Sequence, residues 1–261
     1  MKNYFPPIND EEKLICKKAQ DLARTALARR KACYSQFLDE RGIQLAVAAV
    51  NKIQGIGYVL YGGYSNAERQ VLCVFDENEP ILQNDSFPIC SIKVICKGAS
   101  GLSHRDFLGS LMALGIKREF TGDILVSNGE NANIFLLNSI KVTIKNDLIT
   151  VGKFNCTVND DVIFEDDIQN ETVYEEKSSS ISSLRLDCVL AALLNKSRGT
   201  AVDIIKSKSV KVCHMPVDDV HFEINEGDTL SIKGYGKFIV SQVGGKTKKD
   251  RIYITYKNIN S

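Results

Sequence analysis

Arginine and lysine gathered where two short helices meet are the side chains of this sequence best suited to hold a phosphate. Leu186, Val189, Leu190 and Leu193 recur at the spacing of one helical face, and Ala201, Ile204 and Ile205 mark a second helix shortly after. Lys196-Ser197-Arg198 stands between them, while Arg185 and Asp187 stand at the start of the first helix. Cationic side chains beside a helix start add their charge to the unpaired N–H groups there. That combination holds a phosphate backbone and supplies position and affinity rather than base choice. The same residues also suit an ordinary amphipathic helix pair with a wet cationic side, so spacing alone leaves both readings open.

Catalytic chemistry finds no complete set. His104-Arg105-Asp106 has the order of a kinase catalytic loop, but Leu111 stands where asparagine belongs and no D-F-G follows. Gly55-Ile56-Gly57 and Gly234-Tyr235-Gly236 each lack the third glycine of a dinucleotide fingerprint, and there is no Walker sequence. Eight cysteines, at 16, 33, 73, 90, 96, 156, 188 and 213, form no C-x-x-C pair and sit in apolar surroundings, which reads as buried free thiols. His104, His214 and His221 show no ligand spacing with them. The reading therefore contains no catalytic residue, no metal site and no cofactor.

The elements that must position these groups follow from periodicity and composition. A chain of 261 residues with 44% hydrophobic residues can build two or three small cores. A net charge of +1 is not that of a globally basic nucleic-acid binder, yet the charge is segregated. Asp160, Asp161, Glu165, Asp166, Asp167, Glu171, Glu175 and Glu176 form an acidic stretch that gives way to the basic helix pair. Helices are expected from Asp10 to about Tyr34 and from about Asp39 to Ile53. Strand, helix, strand, strand, helix and strand follow at 89–96, 103–114, 123–126, 133–136, 137–146 and 149–158. Ser103 and Asp106 have the spacing of a capping box for the first of those helices. A four-stranded sheet backed by two helices is the split β-α-β arrangement common among RNA-binding folds. No apolar run reaches membrane-spanning length and the first residues lack the apolar core of a secretory signal, so a cytoplasmic location with no membrane contact is expected.

Two resemblances sharpen this picture. Arg185-Leu186-Asp187 followed by Ser197-Arg198, Ala201 and Ile205 resembles the alpha-L RNA-binding domain, the type named after small-subunit ribosomal protein S-four. The resemblance implies RNA contacts by Arg185, Lys196, Ser197, Arg198, Lys206, Lys208 and Lys211. One departure is Ser209 before Val210 and Cys213-His214 after Val212, where that family usually has glycine and then asparagine. Gly227 to Phe238 fits the closing hairpin of such a domain, in which Tyr235 is placed to stack on a base and Lys233 and Lys237 to meet phosphates. Arg185-Leu186-Asp187 also imitates the heart of pseudouridine synthases, but the glycine before it and the T-x-G after it are missing, so Asp187 reads as a helix-start carboxylate.

Upstream, Gly62-Gly63-Tyr64 with Ala67-Glu68-Arg69, and then the run from His104 to Glu119 with Gly122-Asp123-Ile124, resemble the bacterial YlmH-like proteins, which carry an alpha-L domain at the C-terminus. The resemblance implies RNA contact near Ser103, His104, Arg105, Lys117 and Arg118; the same residues read equally well as a helix cap, with Gly115 ending the helix. Taken together, the expectation is a multidomain α+β protein. A mostly helical region spans 1–75, a central RRM-like domain 76–158, an acidic linker 159–180, an alpha-L domain 181–245 and a basic tail 246–261. The implied function is non-catalytic binding of structured RNA, rRNA or tRNA, on the large ribosomal subunit in translation quality control. The rivals are an RNA-modifying enzyme of pseudouridine-synthase type and an interaction protein of cell division.

Overall fold

The computed structural model describes residues 6–65, 67–79, 86–161, 175–246 and 250–259, which fall into two compact units, one within residues 7–169 and one within residues 170–261 together with Pro6. In the first unit, helix α1 (Asp10–Arg29) starts where the Asn9 side chain accepts the N–H of Glu12, with Asp10, Glu11 and Glu12 in the first turn to complement the helix dipole. It stops at Arg30, whose left-handed backbone (φ 49°) returns its N–H to the last turn. The helix is therefore shorter than expected, and Cys33–Leu38 forms strand β1 instead. Buried Ala19, Ala23 and Ala26 give α1 a small face that lets α2 (Glu40–Val50) approach closely. A two-point ion pair joins them: Arg41 Nη2 and Nε donate to Glu12 Oε2 at 2.7 Å and Oε1 at 3.2 Å.

Strands β2 (Ile56–Tyr61) and β3 (Gln70–Asp76) complete an antiparallel sheet of order β1-β3-β2. Val71, Leu72, Cys73 and Val74 of the central strand are buried on both faces. Leu72 and Val74 pack with the alanines of α1 and α2, whereas Val71 and Cys73 pack with Phe37, Tyr64 and Phe135. A strand covered on both sides reads as an unbroken apolar run, as this one does.

Next come β4 (Ile89–Ile95), α3 (His104–Ala113), β5 (Thr121–Ser127), β6 (Asn131–Leu137), α4 (Lys141–Asp147), β7 (Thr150–Val151), β8 (Phe154–Asn155) and β9 (Thr157–Asp161). Strands β5-β6-β4-β9 form a second antiparallel sheet in that order, so each crossover helix returns a strand to the sheet as a split β-α-β unit does. Ile92, Val94, Ile134 and Leu136 face the helices and share a core with Phe107, Leu111 and Ile144. The single strand expected over 149–158 is instead a small hairpin, β7-β8, turning at Gly152 (φ 58°), followed by β9. On the opposite face, Phe135 stacks on Tyr64 with ring centroids 4.9 Å apart, so part of this sheet is covered by the preceding segment rather than open.

The second unit holds β10 (Glu175–Ile181), α5 (Leu186–Leu194), α6 (Arg198–Lys206), β11 (Val210–Val212), β12 (Met215–Pro216), β13 (Thr229–Ile232), β14 (Gly236–Lys246) and β15 (Ile252–Ile259). They form a six-stranded sheet of order β10-β15-β14-β13-β11-β12 with both helices on one face. Residues 246–261, expected as a basic tail, thus supply an interior strand between β10 and β14. The acidic stretch contributes its ends to β9 and β10; residues 162–174 lie outside the described residues. Among the described residues no helix is long and apolar enough to cross a membrane.

Candidate nucleic-acid interface

The start of α5 and the start of α6 are brought together by packing. Leu186, Val189, Leu190 and Leu193 on one helix meet Ala201 and Ile205 on the other in a buried core. Helix α5 ends at Asn195 in left-handed backbone (φ 50°), which turns the chain sharply. Ser197 then caps α6, its Oγ accepting the N–H of Thr200 at 3.1 Å. Both starts converge on Asp187. Arg185 donates from Nε to Oδ1 at 3.2 Å and from Nη2 to Oδ2 at 3.0 Å, and Arg198 donates from Nε to Oδ2 at 2.8 Å.

Exposure divides these three side chains sharply: Asp187 is 3% exposed, Arg185 35% and Arg198 55%. Burial opposes ionisation of Asp187, but the hydrogen bonds from Arg198 and Arg185 outweigh it and hold the carboxyl below its ordinary range. The same bond raises the Arg198 guanidinium above its ordinary range. The carboxylate receives Nε and Nη2 of Arg185 and Nε of Arg198, and both guanidinium side chains stay partly exposed. That is a fixed pair of cationic forks of the kind that matches phosphate oxygens.

The other residues expected to touch RNA fall into separate places. Lys196 and Ser197 are exposed beside the arginine pair. Lys206 and Lys208 are exposed at the far end of α6, about 12 Å along its axis from Arg198. Lys211 and Lys237 both oppose Ser231, on β11 and β14, so they share one face of the sheet two strands apart, about 10 Å. Lys233 and Tyr235 are exposed in the turn between β13 and β14, where Gly234 (φ 83°) and Gly236 (φ 98°) carry the positive φ that turn needs.

In the first unit, Ser103, His104, Arg105 and Lys117 are exposed, around the start of α3 and the turn that precedes β5. The capping box forms: the Ser103 N–H and Oγ both donate to Asp106 Oδ2, at 2.8 and 2.7 Å. Arg118 is turned inward, its Nη1 donating to the carbonyls of Thr121 at 2.7 Å and Gly122 at 2.9 Å. Burial, and then the neighbouring Arg69 charge, brings its pKa down to about 10. Partial burial and the Arg118 charge hold His104 below the usual imidazole range.

This is also where the two upstream motifs meet. Asp123 accepts the Tyr64 hydroxyl at 2.9 Å and the N–H groups of Glu68 at 2.7 Å and Arg69 at 3.1 Å. Arg69 donates to the carbonyls of Thr121, Phe37 and Arg118 at 3.0, 3.2 and 3.3 Å. Gly62 is required by space, since a Cβ there would lie 2.3 Å from Ala67 Cβ and 2.4 Å from the Arg69 carbonyl oxygen. Spacing does not report the hub at Asp123, whereas at Asp187 the sequence carries a signal of the contact, a carboxylate two residues after one arginine and eleven before another.

Among the described residues no group of three or more His, Cys, Asp or Glu is placed to hold a metal ion. A cavity of about 550 Å³ beside α1 and β1 is lined by Leu22, Phe37 and Leu72 together with Lys18, Asp21, Asp39, Arg69 and Glu119, so charges of both signs meet in it.

Comparison with known proteins agrees over most of the chain. Residues 84–165 match the family model described as "Putative RNA-binding domain in YlmH". Over 259 residues the chain is 30% identical to the ribosome-associated protein quality control protein P2 of Bacillus subtilis (strain 168), covering 98% of each protein. Its fold is similar to the solved structure of the cell division protein ylmH from Streptococcus pneumoniae, with a TM-score of 0.53 and 14% identity over 61% of this chain and 96% of that one. The two motifs that meet at Asp123, the match over 84–165 and the near full-length relative together identify the chain as a member of the YlmH family.

Proposed function

We propose that this chain is a non-catalytic RNA-binding protein that works on the ribosome in the cytoplasm. It holds structured rRNA or tRNA at the large subunit and takes part in translation quality control. The observation that carries the reading is the Arg185–Asp187–Arg198 arrangement: two guanidiniums fixed at adjacent helix starts, each on a partly exposed side chain. Lys196 is exposed beside them, and Lys211 and Lys237 form a second cationic pair on the sheet face away from the two helices. Such contacts fix the protein on a phosphate backbone by shape and charge, and their affinity falls steeply with salt. The name of the Bacillus subtilis relative supports the ribosomal setting, and the matched family model supports RNA as the ligand.

The enzymatic alternative needs a reactive group, and Asp187 is badly placed to be one. It is 3% exposed, and its two oxygens already receive two arginines and the N–H of Cys188. The test is ribosome co-sedimentation and filter binding of deproteinised rRNA across a range of salt. Reversing the charges of Arg185, Arg198 and Lys211 together (R185E, R198E, K211E) is expected to abolish binding of the folded protein; unchanged binding overturns the assignment.

A further inference from the structure

Asp187 is a buried anion at the centre of a surface whose proposed ligand is also an anion. Coulomb's law alone makes such a carboxylate unfavourable for RNA. Service to the helix dipole does not explain it either. The first N–H groups of α5, on Leu186 and Asp187, already donate to the carbonyls of Phe222 (2.7 Å) and Val220 (3.3 Å). Asp187 takes just one helix N–H, that of Cys188 on Oδ1. Its Oδ2 is occupied entirely by the two arginines, one from each helix start.

We infer that Asp187 is a positioning residue for RNA binding: it acts through Arg185 and Arg198, locking both guanidiniums into one orientation so that a phosphate meets a preformed pair of forks. The inference rests on the RNA-binding reading above. Arginine has many rotamers, and an exposed one must be ordered each time it binds; a carboxylate that orders two of them beforehand removes that cost from binding. Arg198 reaches Asp187 across eleven positions of sequence, so the carboxylate also ties the two helix starts to each other.

The inference and simple electrostatics predict opposite signs for one substitution. Asp187→Asn removes a negative charge and replaces one of the two acceptor oxygens with an N–H₂ donor, so a single oxygen is left where two guanidiniums and the Cys188 N–H were received. If charge alone mattered, rRNA would bind more tightly. The positioning role predicts binding weaker by about fivefold or more, the scale of ordering two long side chains. Filter binding of deproteinised rRNA to the full chain reads this, with an unfolding curve to show that the variant is folded.

The same substitution is then made in an R185Q, R198Q background, where it is expected to cost nothing further because the side chains it acts through are gone. The arginine Nε–H signals in NMR give an independent view. Those of Arg185 and Arg198 are expected to be protected from solvent exchange in the wild type and to lose protection in Asp187→Asn, while the Nε–H signals of Arg41 and Arg69, which have other acceptors, keep theirs. Equal or tighter binding by Asp187→Asn overturns the inference, as does the same loss in both backgrounds or protection that is unchanged. Should R185Q, R198Q bind rRNA like the wild type, the functional reading falls, while the Nε–H signals still decide whether Asp187 positions the arginines.

Discussion

Arg69 and Arg118 in the first unit and Arg185 and Arg198 in the second are two arginine pairs whose charges are used in different ways. Arg69 and Arg118 donate to backbone carbonyls of Phe37, Arg118, Thr121 and Gly122, and burial draws both below the ordinary guanidinium range. Arg185 and Arg198 share one buried carboxylate and remain partly exposed. The acceptor makes the difference. Carbonyls of neighbouring segments draw a guanidinium inward and turn it into a brace, whereas a carboxylate at a helix start holds it at the surface with donors to spare. A basic residue in a motif is therefore a brace or a ligand according to what it meets, and both kinds occur within this chain.

Removing Arg69 should separate the two pairs most strongly. Arg69→Ala deprives three carbonyls of a charged donor and is expected to lower the unfolding free energy of the first unit by about 3 kcal/mol in urea denaturation. The RNA affinity of the folded protein should not change. A smaller effect follows from Gly62→Ala, where the new Cβ meets backbone as well as Ala67, at a cost of about 2 kcal/mol in the same experiment. Tyr64→Phe keeps the stack on Phe135 and loses one hydrogen bond to Asp123, at a cost of about 1 kcal/mol. Were any of these to reduce RNA affinity as much as stability, the brace would also be a ligand and the contrast would fail.

Acid tests the other pair. Asp187 has a folded pKa below its ordinary 3.8, so its contribution to stability is complete above that value and is lost as pH falls through the lower, folded one. Near neutral pH the arginine pair should be insensitive to pH, and the Arg185 and Arg198 Nε–H signals should hold until strongly acid conditions.

Local pairs were legible in the sequence and distant ones were not. The capping box joins residues three apart and the α5–α6 faces repeat every three or four, so pattern alone found them. Strand β1 gave no alternation because a bulge between Tyr34 and Phe37 interrupts its register with β3. The β11–β12 turn uses Cys213 (φ 46°) and His214 (φ 68°) where glycine or asparagine is favoured, so no turn signal preceded it. Strand β15 was hidden by its charged neighbours, although Ile254 and Tyr256 point inward between exposed Tyr253 and partly exposed Thr255 and Lys257. The Asp123 hub joins residues up to 59 apart, which no local spacing reports. For the arginine pair the residues were visible but not their division of labour, which depends on the burial of Asp187.

The most direct measurement is the salt dependence of rRNA affinity for two variants side by side, R185Q, R198Q and R118Q, each shown to be folded. Each phosphate contact adds roughly one to the slope of log affinity against log salt. The account predicts that the slope falls by about two for R185Q, R198Q and stays at the wild-type value for R118Q. A wild-type slope in R185Q, R198Q, or an equal fall in R118Q, would contradict it.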